Sequence, residues 1–175
     1  KLSLLQAKIN SACVKDLLEA NKLLSEAKHH KETKITIKSI PLEDIRFVSF
    51  SDAAFANRAN AQSQKGCLIL AASKNIGEWK ASDVSPLIWY SRKIARVVGS
   101  TLASEAYALS GSVDLLSWLR IQWSWICQPS HEWKNPEKCL STSPEAYAVV
   151  DCKSLYDLIQ KTTIPQCQEY RTTLE

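Results

Sequence analysis

Hydrophobic positions change their period along this chain, and each change marks an element. Over residues 14–28 the apolar positions are Val14, Leu17, Leu18, Leu24 and Ala27, with Lys and Glu between them. That is the three-and-four spacing of a helix with one oily face. His29-His30-Lys31-Glu32 is polar and ends it; the adjacent His pair reads as a surface helix end, since no third metal ligand stands nearby. Residues 34–40 alternate apolar and polar, which predicts a half-buried strand stopped by Pro41. Residues 45–51 are rich in strand formers and lead into Asp52, and polar residues 57–65 predict a turn. Gly66 then opens the continuous apolar run 67–72, expected to be a central strand. Residues 73–86 read as a loop and 87–91 as a third strand. Ser100-Thr101 can cap a long helix whose stripe runs Leu102, Ala106, Leu109, Val113, Leu116, Leu119. Residues 128–144, with Pro129 and Pro136, predict a long loop. Residues 146–150 predict a strand ending at Asp151, and 154–160 a short helix.

Three strands, a helix, a strand and a helix in that order predict an α/β fold. Its mixed sheet would be an antiparallel three-strand meander, followed by a helix crossover to a parallel strand, with flanking helices. The helix and strand of residues 1–41 precede this domain, which occupies 42–175. Composition changes the picture little: 45% apolar and 23% charged residues suit an ordinary globular chain. Met is absent and the sequence starts at Lys1, as expected for a piece of a longer polypeptide. Lys1, Lys8 and Lys15 interrupt the apolar residues at the start, unlike a signal peptide. No apolar run reaches the roughly 18 residues of a membrane span. The six cysteines include no C-x-x-C pair, so they read as reduced thiols of an intracellular, non-secreted protein rather than a disulfide framework or zinc site.

Charge is unevenly placed. Residues 1–40 hold eight Lys against four acids and 41–100 hold eight Lys or Arg against five, whereas 101–175 hold six against nine. A basic stretch beside clustered acids suits a metal-dependent nuclease that grips an anionic polymer; scattered solubilising charge explains the same totals. Three acids stand where chain geometry can bring them together: Asp52 closing the first strand of the meander, Glu105 in the first turns of the long helix, and Asp151 at the end of the strand after the crossover. Leu102, Glu105 and Leu109 are three and four residues apart, which sets Glu105 on the stripe facing the sheet. An unpaired inward carboxylate is costly to bury, and two more at strand ends add repulsion. Two Mg²⁺ held by shared carboxylates remove that difficulty, and can activate water and stabilise the leaving oxygen of a phosphodiester. Taken singly, each acid has a plainer reading: Asp52 or Asp151 as a turn residue, Glu105 as a partner of the helix dipole.

Residues 87–109, LIWYSRKIARVVGSTLASEAYAL, resemble the segment of copia-type retrotransposon RNase H domains that runs from a W-S-S-K-K strand end to an S-T-x-x-E-Y helix start. Ser49-Phe50-Ser51-Asp52-Ala53-Ala54-Phe55-Ala56 is similar to that family's Y-S-D-A-D-W-A opening. Val149-Val150-Asp151-Cys152-Lys153-Ser154-Leu155 resembles its C-D-N-x-S-A turn, and Gly66 after Ser63-Gln64-Lys65 its S-x-x-G. The likeness spans residues 45–160, and residues 14–40 look like the tail joining reverse transcriptase to RNase H in such Pol polyproteins. It implies an RNase H-like fold and a hydrolase cutting the RNA strand of RNA–DNA hybrids with two Mg²⁺, Mn²⁺ being able to replace them. It also implies a reverse transcriptase partner in the same polyprotein. Asp52, Glu105 and Asp151 would be the catalytic metal ligands, and Arg92, Lys93 and Arg96 would contact hybrid phosphates. A solvated basic loop accounts for those three cations equally well.

The resemblance also implies a fourth acid within an A-D-x-L-T-K stretch. No such motif precedes Glu175, and Glu169 and Glu175 stand in other contexts, so a C-terminally truncated domain of weak or absent activity is expected. Integrases and transposases order their acids Asp, Asp, Glu; here the Glu lies between, which favours RNase H. A polymerase core would need an adjacent Asp-Asp pair, which this chain lacks. The alternative is a non-catalytic remnant or connection domain that binds nucleic acid or packs against the polymerase; such a domain has no need of three acids.

Overall fold

The meander and the crossover both form. A computed structural model describes residues 2–58, 61–78, 80–127 and 135–161. Along the chain run α1 (Leu2–Gln6), α2 (Val14–His29), β1 (Ile45–Ala54), β2 (Gln64–Ser73), β3 (Val84–Lys93), α3 (Thr101–Cys127), α4 (Pro136–Thr142), β4 (Ala146–Val149) and α5 (Lys153–Ile159). The sheet order is β3-β2-β1-β4. β1 and β3 pair antiparallel with β2, and β4 lies parallel to β1, from Phe47 opposite Ala146 to Phe50 opposite Val149. This is the mixed α/β sheet with flanking helices that an RNase H-like fold requires. Among the described residues no helix is long and apolar enough to cross a membrane.

Side chains alternate across each strand, and the two faces of the sheet are covered differently. Ile45, Phe47, Ser49 and Ser51 of β1 point to the face beneath α3 and are buried, with Cys67, Ile69 and Ala71 of β2 beside them. Leu116, Leu119 and Trp123 of α3 close over this layer. The Trp123 ring meets Phe47 edge-on, centroids 5.6 Å apart. Burying side chains such as Phe47 and Ile69 contributes roughly 1.5–3 kcal/mol each. On the opposite face Val48 and Ala72 are buried, and the 3₁₀ turn Lys74–Glu78 packs against β1 and β2. A Cβ on Gly77 would stand 2.6 Å from the Tyr147 hydroxyl, so a larger residue there would push the end of that side chain aside. Farther along that face Phe50, Leu68 and Trp89 form an exposed row across three strands.

The chain divides between Thr36 and Ile37 into two compact units. In the first, α2 follows its predicted bounds closely and starts with a capping box of Cys13 and Asp16. Lys8 binds the Asp16 carboxylate at 2.8 Å and holds its pKa well below the usual carboxylate range.

Three expectations are corrected. The strand over 34–40 is absent: residues 33–40 join no ladder, and Ile35 and Ile37 are exposed. Lys38 instead bonds the Ser85 hydroxyl through both its amide and its carbonyl, a side-chain substitute for strand pairing. The loop over 128–144 contains α4, because Pro136 is not a breaker there but the first helical residue. The Asn135 side chain caps the helix by accepting from the Lys138 amide at 3.1 Å. Residues 128–134 lie outside the described residues. Finally, the buried line of α3 runs Glu105, Ala108, Ser112 and Leu116, so Val113, expected in the stripe, is exposed. Small residues win this face because Ser49 and Ser51 beneath it let helix and strand approach closely.

Candidate metal centre

Three elements end at one corner of the sheet. β4 stops at Val149, opposite Phe50, while β1 runs on to Ala54 paired only with β2. Past that point the other edge of β1 is open, and the Ala53 amide donates to the Glu105 carboxylate. Glu105 is held there by its neighbours on α3: Ala103, Ser104, Ala106 and Ala108 are all buried, so the first turns of the helix are fixed against the sheet. Ser100 Oγ accepts from the Ala103 amide and orders the helix start. Asp52 lies on β1 opposite Gly66, which puts no side chain beside it. Asp151 follows β4 by two residues, and Cys152 then caps α5.

Carboxylate oxygens of Asp52, Glu105 and Asp151 all lie within 4.8 Å of one another, the two Asp exposed and Glu105 buried. Two unit charges 4 Å apart repel by about 4 kcal/mol at an effective dielectric near 20. Burial, then the charges of Asp52 and Asp151, lift the Glu105 pKa from 4.5 to about 6 against the stabilising Ala53 amide. Glu105 Oε2 is buried without a hydrogen-bond partner. A buried carboxylate with an unpartnered oxygen, beside two further carboxylates, makes a donor set for a hard divalent cation: oxygen ligands suit Mg²⁺, Mn²⁺ or Ca²⁺ rather than thiophilic metals. The triad could hold a metal ion.

The three predicted cations are not one group. Arg92 shares a cross-strand row with Lys65 and Ala53, two strands and about 10 Å from the acid-bearing strand. Its guanidinium stacks on the Tyr90 ring, 4.2 Å from the centroid. Lys93, the next residue of β3, points to the opposite face. Arg96 lies beyond β3 and bonds the Tyr107 hydroxyl at 3.4 Å. Glu169 and Glu175 lie outside the described residues.

Sequence reasoning missed two cations. Lys65, taken as a turn residue, is the second residue of β2 and reaches under α3, where its amine lies 3.5 Å from the Tyr107 carbonyl. Burial and the charge of Arg92 lower its pKa. A Cβ on Gly111 would stand 2.5 Å from that amine, and a glycine inside a long helix was the available signal of a close approach. Arg120, in the second half of α3, had no signal at all.

No protein family description and no curated protein matches this chain. Among solved structures it is similar to an endonuclease V (D234N) from Ciona intestinalis, crystallised with a 23mer DNA containing an inosine followed by a ribo-adenosine. The identity is 11%, the TM-score 0.25, and the match covers 69% of this chain and 44% of that one. The chain thus spans less than half of that protein's length. The fold assignment above rests instead on strand order and register.

Proposed function

We propose that this chain is a ribonuclease H-type endonuclease domain of a copia-type retrotransposon Pol polyprotein, cutting the RNA strand of RNA–DNA hybrids. The observation that carries the proposal is the convergence of Asp52, Glu105 and Asp151, from three separate elements, to within 4.8 Å with Glu105 buried. These three residues would hold Mg²⁺ or Mn²⁺, two ions in this reading. Bound cations would supply charge neutralisation and polarise water and phosphate oxygens. The chain's own part is positional: the Ala53 amide orients Glu105, and burial of the first turns of α3 fixes it at the sheet corner. Arg92, Lys93 and Arg96 would hold hybrid phosphates, and the reverse transcriptase part of the polyprotein would deliver the hybrid. A connection domain explains the sheet but gives no reason to gather three repelling acids.

A labelled RNA–DNA hybrid, single-stranded RNA and a DNA duplex, each incubated with Mg²⁺ or Mn²⁺ and the chain extended through the fourth-acid segment that the resemblance implies, test the proposal. The expected result is metal-dependent cutting of the RNA strand in the hybrid alone, lost in Glu105→Gln. A folded chain that cuts the DNA duplex instead, or cuts nothing, would overturn it.

A further inference from the structure

Glu105 and Asp151 reach the same corner from opposite directions, and the far half of α3 ties their elements together. Arg120 lies fifteen residues after Glu105 on the same helix, about 22 Å along a rise of 1.5 Å per residue. Its Nε donates to the Pro144 carbonyl at 3.0 Å and its Nη2 to the Leu140 carbonyl at 2.9 Å. Leu140 is in α4, and its carbonyl also accepts from the Ser143 hydroxyl at 2.8 Å. Pro144 stands two residues before β4 begins at Ala146. Burial lowers the Arg120 pKa, so this guanidinium is partly desolvated while bonded to neutral carbonyls. An aliphatic side chain would cover the same apolar surface without that penalty; a planar fork of donors adds a fixed direction.

We propose that Arg120 is a positioning residue of the acid site: it clamps the segment leading into β4 onto α3 and thereby sets Asp151 relative to Glu105. β4 has only four residues and one sheet neighbour, β1, so its ladder alone holds its height along β1 weakly. The other ties at this point, the Phe47 amide to the Glu145 carbonyl at 3.0 Å and Arg46 to the Glu145 carboxylate at 3.0 Å, fix β4 to β1. Arg120 links the segment before β4 by two hydrogen bonds to the helix that carries Glu105. The inference rests on the metal-site reading of the three acids.

The test uses the full chain as wild type, Arg120→Met and Arg120→Lys, each shown to be folded by circular dichroism. Two readouts are taken: Mg²⁺ affinity by calorimetry, and hydrogen exchange at the β4 amides without metal. Arg120→Met should weaken Mg²⁺ binding by about tenfold, the low end of what supporting contacts contribute to metal sites. Exchange should quicken in β4 but not in β2. Arg120→Lys, which keeps the charge and loses the fork, should fall between, and it carries the test if the Met variant fails to fold. Wild-type affinity in folded variants, or β4 exchange that does not change, overturns the clamp alone. A wild-type chain that binds no Mg²⁺ overturns the underlying reading, and the inference with it.

Discussion

The two halves of α3 are built on opposite electrostatic principles. At the Glu105 end three carboxylates crowd together, one of them buried with an oxygen that bonds to nothing. At the Arg120 end a single cation spreads its donors over two carbonyls, and Trp123 and Leu116 bury against Phe47 and Ile69. Folding gains from the second half and tolerates the first. One rigid helix lets packing at one end hold repelling charges in place at the other. Such local opposition to stability is the pattern of a site kept for chemistry rather than for the fold.

Removing the opposition should have the largest effect. Glu105→Gln should reduce hybrid cleavage by about a hundredfold or more, since metal-assisted charge stabilisation is worth several kcal/mol, measured as single-turnover cutting of a labelled hybrid. The same substitution should stabilise the metal-free protein. The Glu105 pKa rises from 4.5 unfolded to about 6 folded, so the folded state holds its proton more tightly. Its contribution is full below pH 4.5, declines as pH rises through 6, and is absent above 7. At about 1.4 kcal/mol per unit, Glu105→Gln should restore roughly 2 kcal/mol at pH 7.5 and almost nothing at pH 4.5, read from urea unfolding at the two pH values. Equal gains at both would remove the cost of ionising Glu105, set by burial and then by the charges of Asp52 and Asp151, as the cause.

At the packed end, Arg120→Met should act on Mg²⁺ affinity by about tenfold, smaller than the loss of a ligand. The cations nearer the acids sharpen the contrast further. Arg92→Ala and Arg96→Ala, both stacked on or bonded to tyrosines on the α3 side, should each lower the log–log salt slope of hybrid binding by about one. Lys93→Ala, on the other face, should lower it less; fluorescence anisotropy across salt concentrations separates them. The smallest effect is expected at Gly111. Gly111→Ala gains up to about 1 kcal/mol of helix propensity but pushes its Cβ toward the Lys65 amine. The substitution should therefore stabilise more in a Lys65→Ala background than alone, by thermal melting.

Much of the sheet was legible because its signals are local. The strand formers of 45–51, the continuous apolar run behind Gly66 and the strand at 146–150 each depend on neighbours a few residues away, and β1, β2 and β4 appear there. The alternating run of 34–40 is as local a signal but joins no strand; Ser85 bonds the Lys38 amide and carbonyl through its side chain instead. α4 was hidden by Pro136, whose meaning depends on whether a helix begins or continues at that point. The α3 stripe was misjudged because the helix is apolar on most sides, and the shape of Ser49 and Ser51 below it, not hydrophobicity, decides which side is buried. As for the acids, spacing along one helix could put Glu105 inward, but only the early end of β4 against β1 shows why Glu105 meets Asp52 and Asp151. The Arg120 clamp joins residues twenty and twenty-four positions apart through main-chain carbonyls, which leave no trace in residue type.

The central claim is that Asp52, Glu105 and Asp151 together form a divalent cation site, and a Mg²⁺ titration of the melting temperature at pH 7.5 tests it most directly. A ligand that binds only the folded state stabilises by RT ln(1 + [Mg²⁺]/Kd), about 2.7 kcal/mol at a hundredfold excess over Kd. The account predicts a melting temperature that climbs with Mg²⁺ in the wild type and stays flat in Asp151→Asn, which should itself melt higher than the wild type without metal. A wild-type melting temperature indifferent to Mg²⁺, or the same climb in Asp151→Asn, would contradict it.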